Sequence, residues 1–327
     1  MGSSLNKLVF SVTNDNFSEL ALRVFRFQAK HNDVYREYLH ILGKDIGTIH
    51  SISDIPFLPI SFFKTHKICI GNKEPEQLFT SSGTTGANTS NHYVADAKIY
   101  EESFTRAFSK FYGSPEKYCI LALLPSYTER TGSSLVYMAE QLISESNDSE
   151  SGFYLQNHSD LIDTILKKER DNKPVLLLGV TFALLELAEK VNMTLKNTII
   201  METGGMKGRG KELTRAETHS ILCKSFGVKS IHSEYGMTEL LSQAYSTGNG
   251  IFETPPWLKI FIRDPYDPFT ILPSGQSGAI NIVDLANIYS CSFIQTDDLG
   301  TKHEDNSFEV LGRMDGSLIR GCNMLVL

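Results

Sequence analysis

The chain has 327 residues, 41% of them hydrophobic and 21% charged, with a formal net charge of −7. This is ordinary globular composition, long enough for one large domain or two of usual size. An acidic balance without a Lys/Arg run excludes a basic nucleic-acid-binding face, and no apolar run reaches the ~18 residues of a membrane span. Met1 to Asn14 lacks the basic and apolar regions of a signal peptide. The cysteines Cys69, Cys119, Cys223, Cys291 and Cys322 are widely spread, with no CxxC. The expectation is a reduced, cytoplasmic protein without a disulfide frame or structural zinc.

Apolar residues recur at helical spacing from Phe17 to Leu42, which predicts one long helix. The next segment, Ile52 to Lys64, contains Pro56 and Pro59 and cannot be one helix. Its apolar residues predict extended backbone lying buried across another element. A short apolar stretch, Lys67 to Ile70, leads to a polar turn and the hydroxyl-rich run described below. Asp96 then caps a predicted helix with apolar positions Ile99, Tyr100, Phe104, Phe108 and Phe111. The continuous apolar run Cys119 to Leu124 suits a strand buried on both faces of a parallel sheet. Alternation continues with a helix from Ser133 to Ile143, a strand near Phe153 to Leu155 and a helix from Asp160 to Lys168. A strand at Val175 to Gly179, a helix from Phe182 to Val191 and a strand at Thr198 to Met201 come next. Thr214 and Glu217 form a capping box that opens a helix to Phe226. The last strand of the series is placed at Lys229 to His232.

Such alternation predicts an α/β fold with a mostly parallel sheet flanked by helices. After about Gly250 the pattern changes. Trp257 to Arg263, Gly278 to Val283, Ser290 to Gln295 and Phe308 to Leu311 read as strands separated by turn signals. They predict a smaller antiparallel β section toward the C-terminus. The domain expectation is therefore an α/β core over residues 1–250 and a β-rich section over 251–327.

Ser81, Ser82, Gly83, Thr84, Thr85 and Gly86 place four hydroxyls and two glycines in consecutive positions. Glycines allow close backbone approach to a ligand, and converging N–H groups and hydroxyls hold a phosphate or an oxyanion. The same residues also suit a plain surface loop. Gly205 to Lys211 fits the first positions of a P-loop, but Glu212 stands where Ser or Thr should bind Mg²⁺, so that motif fails. Ser233-Glu234-Tyr235-Gly236-Met237-Thr238-Glu239 follows a predicted strand. It offers a ring for a base, a hydroxyl and a hard oxygen ligand for Mg²⁺, or it is simply a helix start. Asp298, read as part of a turn, can accept from a ribose diol, and Arg313 can pair with a phosphate or with the carboxylate. Each of these two is an ordinary turn residue when taken alone.

In this order and spacing the motifs resemble the adenylate-forming superfamily of acyl-CoA synthetases, luciferases and nonribosomal adenylation domains. Ser81–Gly86 is similar to its phosphate loop, Tyr235–Glu239 to its Tyr-Gly-x-Thr-Glu motif, Asp298 to its ribose-binding aspartate, and Gly312-Arg313 to its hinge-proximal Gly-Arg motif. A closer likeness is to the acyl-protein synthetase component of the bacterial luminescence fatty acid reductase complex. It is carried by Ile55-Pro56-Phe57-Leu58-Pro59-Ile60 with Phe62-Phe63-Lys64, by Glu234 to Tyr245, and by Arg320-Gly321-Cys322-Asn323.

The resemblance implies that a carboxylic acid, of the fatty acid type, attacks the α-phosphate of ATP to give an acyl-adenylate and pyrophosphate. The acyl group then moves to a thiol. It implies that Ser81–Gly86 enclose the phosphates and that Gly204, Gly205 and Tyr235 border the adenine, with Gly236 and Met237 in the same binding turn. Thr238 would meet the α-phosphate, Glu239 would hold Mg²⁺, and Asp298 and Arg313 would take the ribose. Cys322 matches the relay cysteine that hands the acyl group to a reductase or acyl-carrier partner. Two departures stand out. Ala87-Asn88-Thr89 replaces the loop's usual Pro-Lys pair. The sequence given stops at Leu327, without the superfamily's mobile C-terminal domain of ~100 residues and its catalytic lysine. Lys207, Arg209 and Lys211 are the candidate replacement cations. The alternatives are an acyl- or aryl-CoA ligase or carrier-protein loader, and a non-catalytic nucleotide- or acyl-binding partner of a reductase.

Overall fold

A computed structural model of the chain describes residues 2–71, 74–81, 89–124, 131–155, 157–204 and 213–314. The chain divides into two units. One comprises Met1–Phe62, Ile68–Gly71 and Pro256–Leu327; the other comprises Phe63–Lys67 and Asn72–Pro255.

The second unit is built on a six-stranded sheet. Its order is Gly152–Phe153, Cys119–Leu123, Val175–Val180, Thr198–Thr203, His232–Tyr235 and Ala244–Ser246. The first five strands run parallel, and Ala244–Ser246 returns antiparallel to His232–Tyr235. Every residue of Cys119–Leu123 and Val175–Val180 is buried, which is why these strands read as unbroken apolar runs. Intervening helices begin where local side chains cap them. Asp96 accepts from the Lys98 N–H ahead of Ala97–Tyr112, and Ser133 from the Val136 N–H ahead of Ser134–Glu145. Thr214 and Glu217 form the expected capping box ahead of Arg215–Phe226. A separate hairpin pairs Gln77–Thr80 with Asn91–Val94 and brackets the hydroxyl-rich run.

In the other unit, Leu258–Arg263, Ser277–Asp284, Phe293–Lys302 and Phe308–Arg313 pair antiparallel in that order. Leu58–Pro59 adds to this sheet in parallel beside Ile294 and Gln295. That short strand is how the proline-containing segment is buried. Phe293 sits at the centre of an aromatic cluster, with ring centroids 6.1 Å from Phe25, 6.4 Å from Tyr35 and 6.2 Å from Phe57. Residues 1–62 thus group with the C-terminal β section rather than with the 1–250 core expected from the sequence.

The single helix expected from Phe17 to Leu42 is two, Phe17–His31 and Asp33–Ile41. Asn32 divides them. Its side chain accepts from the Tyr35 N–H as an N-cap while its Nδ2 donates to the Ser290 carbonyl at 2.9 Å. The strand expected at Lys229 to His232 begins at His232, so the Tyr-Gly motif closes the strand. Among the described residues, no helix is long and apolar enough to cross a membrane.

Candidate active site

Within the second unit the motif residues gather at the C-terminal ends of adjacent parallel strands. Thr203 and Glu234 are register partners on Thr198–Thr203 and His232–Tyr235. Gly204 and Tyr235 follow them directly. Ligands of open α/β sheets bind outside this end of the strands. Gly204 adopts a left-handed backbone (φ 69°), and its carbonyl oxygen lies 2.7 Å from Thr181 Oγ1, whose one hydrogen it shares with the Glu202 carboxylate. Tyr235 is half-buried, with the Phe252 ring 6.0 Å away at 63°. Met237 and Thr238 are half-buried, and Glu239 is 5% exposed. The backbone turns here through the Leu240 N–H, which donates to the Met237 carbonyl at 3.1 Å.

The hairpin brings the start of the hydroxyl run to a defined neck. The Ser81 N–H donates to the Ser90 carbonyl at 3.0 Å, and the Ser90 N–H donates to Ser81 Oγ at 2.9 Å. Ser81 therefore closes the neck, and its hydroxyl keeps one hydrogen to donate. Ser82, Gly83, Thr84, Thr85, Gly86, Gly205, Lys207, Arg209, Lys211 and Cys322 lie outside the described residues.

Two carboxylates that the sequence reading left without a role stand behind this surface. Glu202 is buried and accepts from Thr181 Oγ1 at 2.7 Å and Ser233 Oγ at 3.0 Å. His219 Nε2 and Arg215 Nε each lie 3.4 Å from its Oε1. Burial pushes this carboxyl up, but the His219 and Thr181 hydrogen bonds and the Arg215 charge outweigh it and hold the group below the usual carboxylate range. Glu234 is buried, 7% exposed. Burial first, and then the Glu202 charge, raise its carboxyl to about 7, against the lowering effect of the Thr203 hydroxyl that donates to it. A Cβ at Gly236 would collide with Glu234 Oε1, so a side chain there would have to displace that carboxylate. His92, fully buried, is the third omission; its Nδ1 lies 2.8 Å from the Thr238 carbonyl oxygen. Glu202 ends the apolar run Ile199-Ile200-Met201 and could have been suspected, because buried acids need partners, whereas Glu234 follows His232 and Ser233 and carries no such mark. Nothing in the sequence marks His92. His219 belongs to the Glu202 network. His232 is held by Tyr112, whose hydroxyl lies 3.2 Å from its Nδ1.

In the first unit, Asp298 lies inside the strand Phe293–Lys302, not in a turn as expected. It is a register partner of Arg313, with a register shift just beyond, between Leu299 and Gly300. The turn reading fails because the neighbours bind as a strand. Thr296 Oγ1 donates to the Ile280 carbonyl at 2.7 Å and accepts from the Asp298 N–H at 3.1 Å. Arg313 Nε donates to Asp298 Oδ1 at 3.2 Å. The fully buried Arg263 braces the strand from beneath, donating to the Thr296 carbonyl at 3.1 Å and to Asn281 Oδ1 at 3.1 Å.

Gly204 and the Tyr235–Glu239 turn thus stand at the ends of neighbouring parallel strands, and the hairpin that carries Ser81 reaches that turn through His92. The structure is similar to 2-hydroxyisobutyryl-CoA ligase in its postadenylation state with 2-HIB-AMP (TM-score 0.66, 13% identity, 93% of this chain and 70% of that one). It is also similar to ATP-bound MatB from Rhodopseudomonas palustris (TM-score 0.55, 18% identity, 75% of this chain); the chain spans about half of that protein's length, 49%. Among curated proteins it is similar to the long-chain-fatty-acid–luciferin-component ligase of Vibrio harveyi, with 23% identity over 343 residues, 93% of this chain and 85% of the relative. The family model of the acyl-protein synthetase LuxE matches residues 8–327. The chain belongs to that family of acyl-activating enzymes.

Proposed function

We propose that the protein activates a carboxylic acid of the fatty acid class with ATP and transfers the acyl group from the adenylate to a thiol. What supports the reading is that Gly204 and Tyr235 follow neighbouring parallel strands while His92 ties the Ser81 hairpin to Thr238, in a chain of the acyl-protein synthetase family.

Ser81–Gly86 receive the phosphates, Gly204, Gly205 and Tyr235 border the adenine, and Asp298 and Arg313 receive the ribose. The Thr238 hydroxyl donates to the α-phosphate as the substrate carboxylate attacks phosphorus and pyrophosphate leaves. Donors aimed at the phosphoryl oxygens stabilise the charge that builds there. Among the described residues no cluster of three or more His, Cys, Asp or Glu side chains could hold a metal. Mg²⁺ is commonly held by one or two carboxylates together with substrate phosphates, and Glu239 fits that mode. Bound there, Mg²⁺ neutralises phosphate charge. Lys207, Arg209 and Lys211 supply the positive charge that the loop's missing lysine does not. Cys322 is the acyl acceptor, and an acyl-reducing enzyme or acyl carrier is the partner that takes the group onward.

Carboxylate-dependent exchange of pyrophosphate into ATP tests the reading. A panel of acids graded in chain length should give exchange that rises toward the preferred length. Absence of exchange with every acid tells against adenylation.

A further inference from the structure

His92 is fully buried on the strand Asn91–Val94 and belongs neither to the hydroxyl loop nor to the Tyr-Gly turn. Its Nδ1 lies 2.8 Å from the carbonyl oxygen of Thr238, 146 residues further along the chain. A carbonyl oxygen only accepts, so Nδ1 carries the proton and donates. The ring is held from another side by Phe63, edge-on with centroids 5.6 Å apart. His92 stands opposite Phe79 in the same hairpin whose open end is closed by Ser81 and Ser90. This hydrogen bond therefore joins the stem of the hydroxyl loop to the backbone of the Tyr-Gly turn. Tying that carbonyl restricts rotation of the peptide on which the Thr238 hydroxyl and the Glu239 carboxylate are mounted.

We infer that His92 is a positioning residue for adenylation, holding the Thr238–Glu239 peptide at a fixed spacing from the hairpin stem that Ser81 and Ser90 close. The inference rests on the ATP-dependent reading above and asks no proton transfer of the imidazole. Two segments that meet one triphosphate must keep their separation. An error of about 1 Å in such geometry costs on the order of 100-fold in rate.

The test compares His92→Phe, which removes the donor and keeps an aromatic ring, with His92→Asn, which keeps an N–H near the Nδ1 position. His92→Phe should lower kcat for acid-dependent pyrophosphate exchange by roughly 30- to 100-fold, with KM for the acid changing less than about threefold. His92→Asn should recover most of the loss. In a Thr238→Ala background the His92→Phe effect should shrink to less than about threefold, because the positioned hydroxyl is gone. The rise in Tm on adding Mg·ATP, which needs no turnover, should fall in His92→Phe and return in His92→Asn. If the phenylalanine ring prevents folding, His92→Leu carries the same comparison. Wild-type exchange and an unchanged Mg·ATP shift in the donor-less variant overturn the inference while leaving acid activation standing. Fully additive losses in the double variant overturn it as well, since His92 then acts elsewhere than through Thr238. A wild-type protein that exchanges no pyrophosphate removes the activation reading and this inference with it.

Discussion

Arg313 Nε donates to Asp298 Oδ1 across a strand pair in which the two residues are direct register partners. The aspartate side chain is 10% exposed and the arginine side chain 78% exposed. An ion pair so open to solvent contributes roughly 0–1 kcal/mol to folding, so its value must be sought elsewhere. Arg313→Ala should leave Tm within a few degrees of wild type and raise KM for ATP about three- to tenfold. Asp298→Ala should raise it at least tenfold, about 1.4 kcal/mol of binding. Steady-state pyrophosphate exchange at varied ATP measures both. Equal ATP KM values in all three proteins would remove these residues from the ribose site.

The raised carboxyl of Glu234 makes stability depend on pH in a definite direction. Its ordinary value is 4.5 and burial moves it to about 7. Between these values the folded protein keeps a proton that the unfolded chain has released. The group's stabilising contribution is complete below about pH 4.5 and is lost as pH rises through 7. At ~1.4 kcal/mol per unit, the loss is on the order of a few kcal/mol. Glu234→Gln retains an acceptor for Thr203 and does not titrate. Urea unfolding should show a smaller decline from pH 5 to 8 in the variant, and at pH 8 the variant should be the more stable protein. Glu202, held low, acts in the opposite sense and only at more acid pH, so it does not mask the effect.

Glu202→Gln tests the buried network directly. The amide still accepts from Thr181 but takes this carboxylate away from Arg215 and His219. Because the Arg215 side chain is 32% exposed, water takes over part of its solvation. The expected cost is therefore about 2 kcal/mol, below the ~3–5 kcal/mol of a fully buried broken pair. Glu202→Leu should cost more and also weaken Mg·ATP binding, since Thr181 holds both Glu202 and the Gly204 carbonyl. Chemical denaturation and calorimetric titration separate the two effects.

Incubation with ATP, Mg²⁺ and the preferred acid should add one acyl mass to the protein. Hydroxylamine should remove it at neutral pH, as expected of a thioester. Cys322→Ser should abolish the hydroxylamine-labile adduct while leaving pyrophosphate exchange within about twofold, because adenylation precedes transfer. A labile adduct persisting in the variant would assign the acceptor to another group.

What could be read from the chain tracks how local the cause was. Asp96, Ser133 and Thr214 declare their helices because each cap bonds within three residues of itself. The division at Asn32 was hidden because its deciding partner is Ser290, far along the chain. Asp298 looked like a turn residue because Asp and Gly favour turns, yet cross-strand pairing with Arg313 decided its conformation. The Tyr-Gly motif was legible from residue types and spacing. The shifted ionisation of the carboxylates beneath it was not, because a raised or lowered acid is a property of what the fold packs against it.

The six-stranded sheet also bears on how the protein behaves at high concentration. One flank is the two-residue strand Gly152–Phe153, and the other is the three-residue strand Ala244–Ser246. On that second flank, Tyr245 already exchanges backbone bonds with Glu253 at 3.0 and 2.8 Å. Sheets recruit foreign chains through long unpaired margins. Among the described residues, the margins of this sheet are short or already paired, so its strongly apolar inner strands are kept from serving as a template.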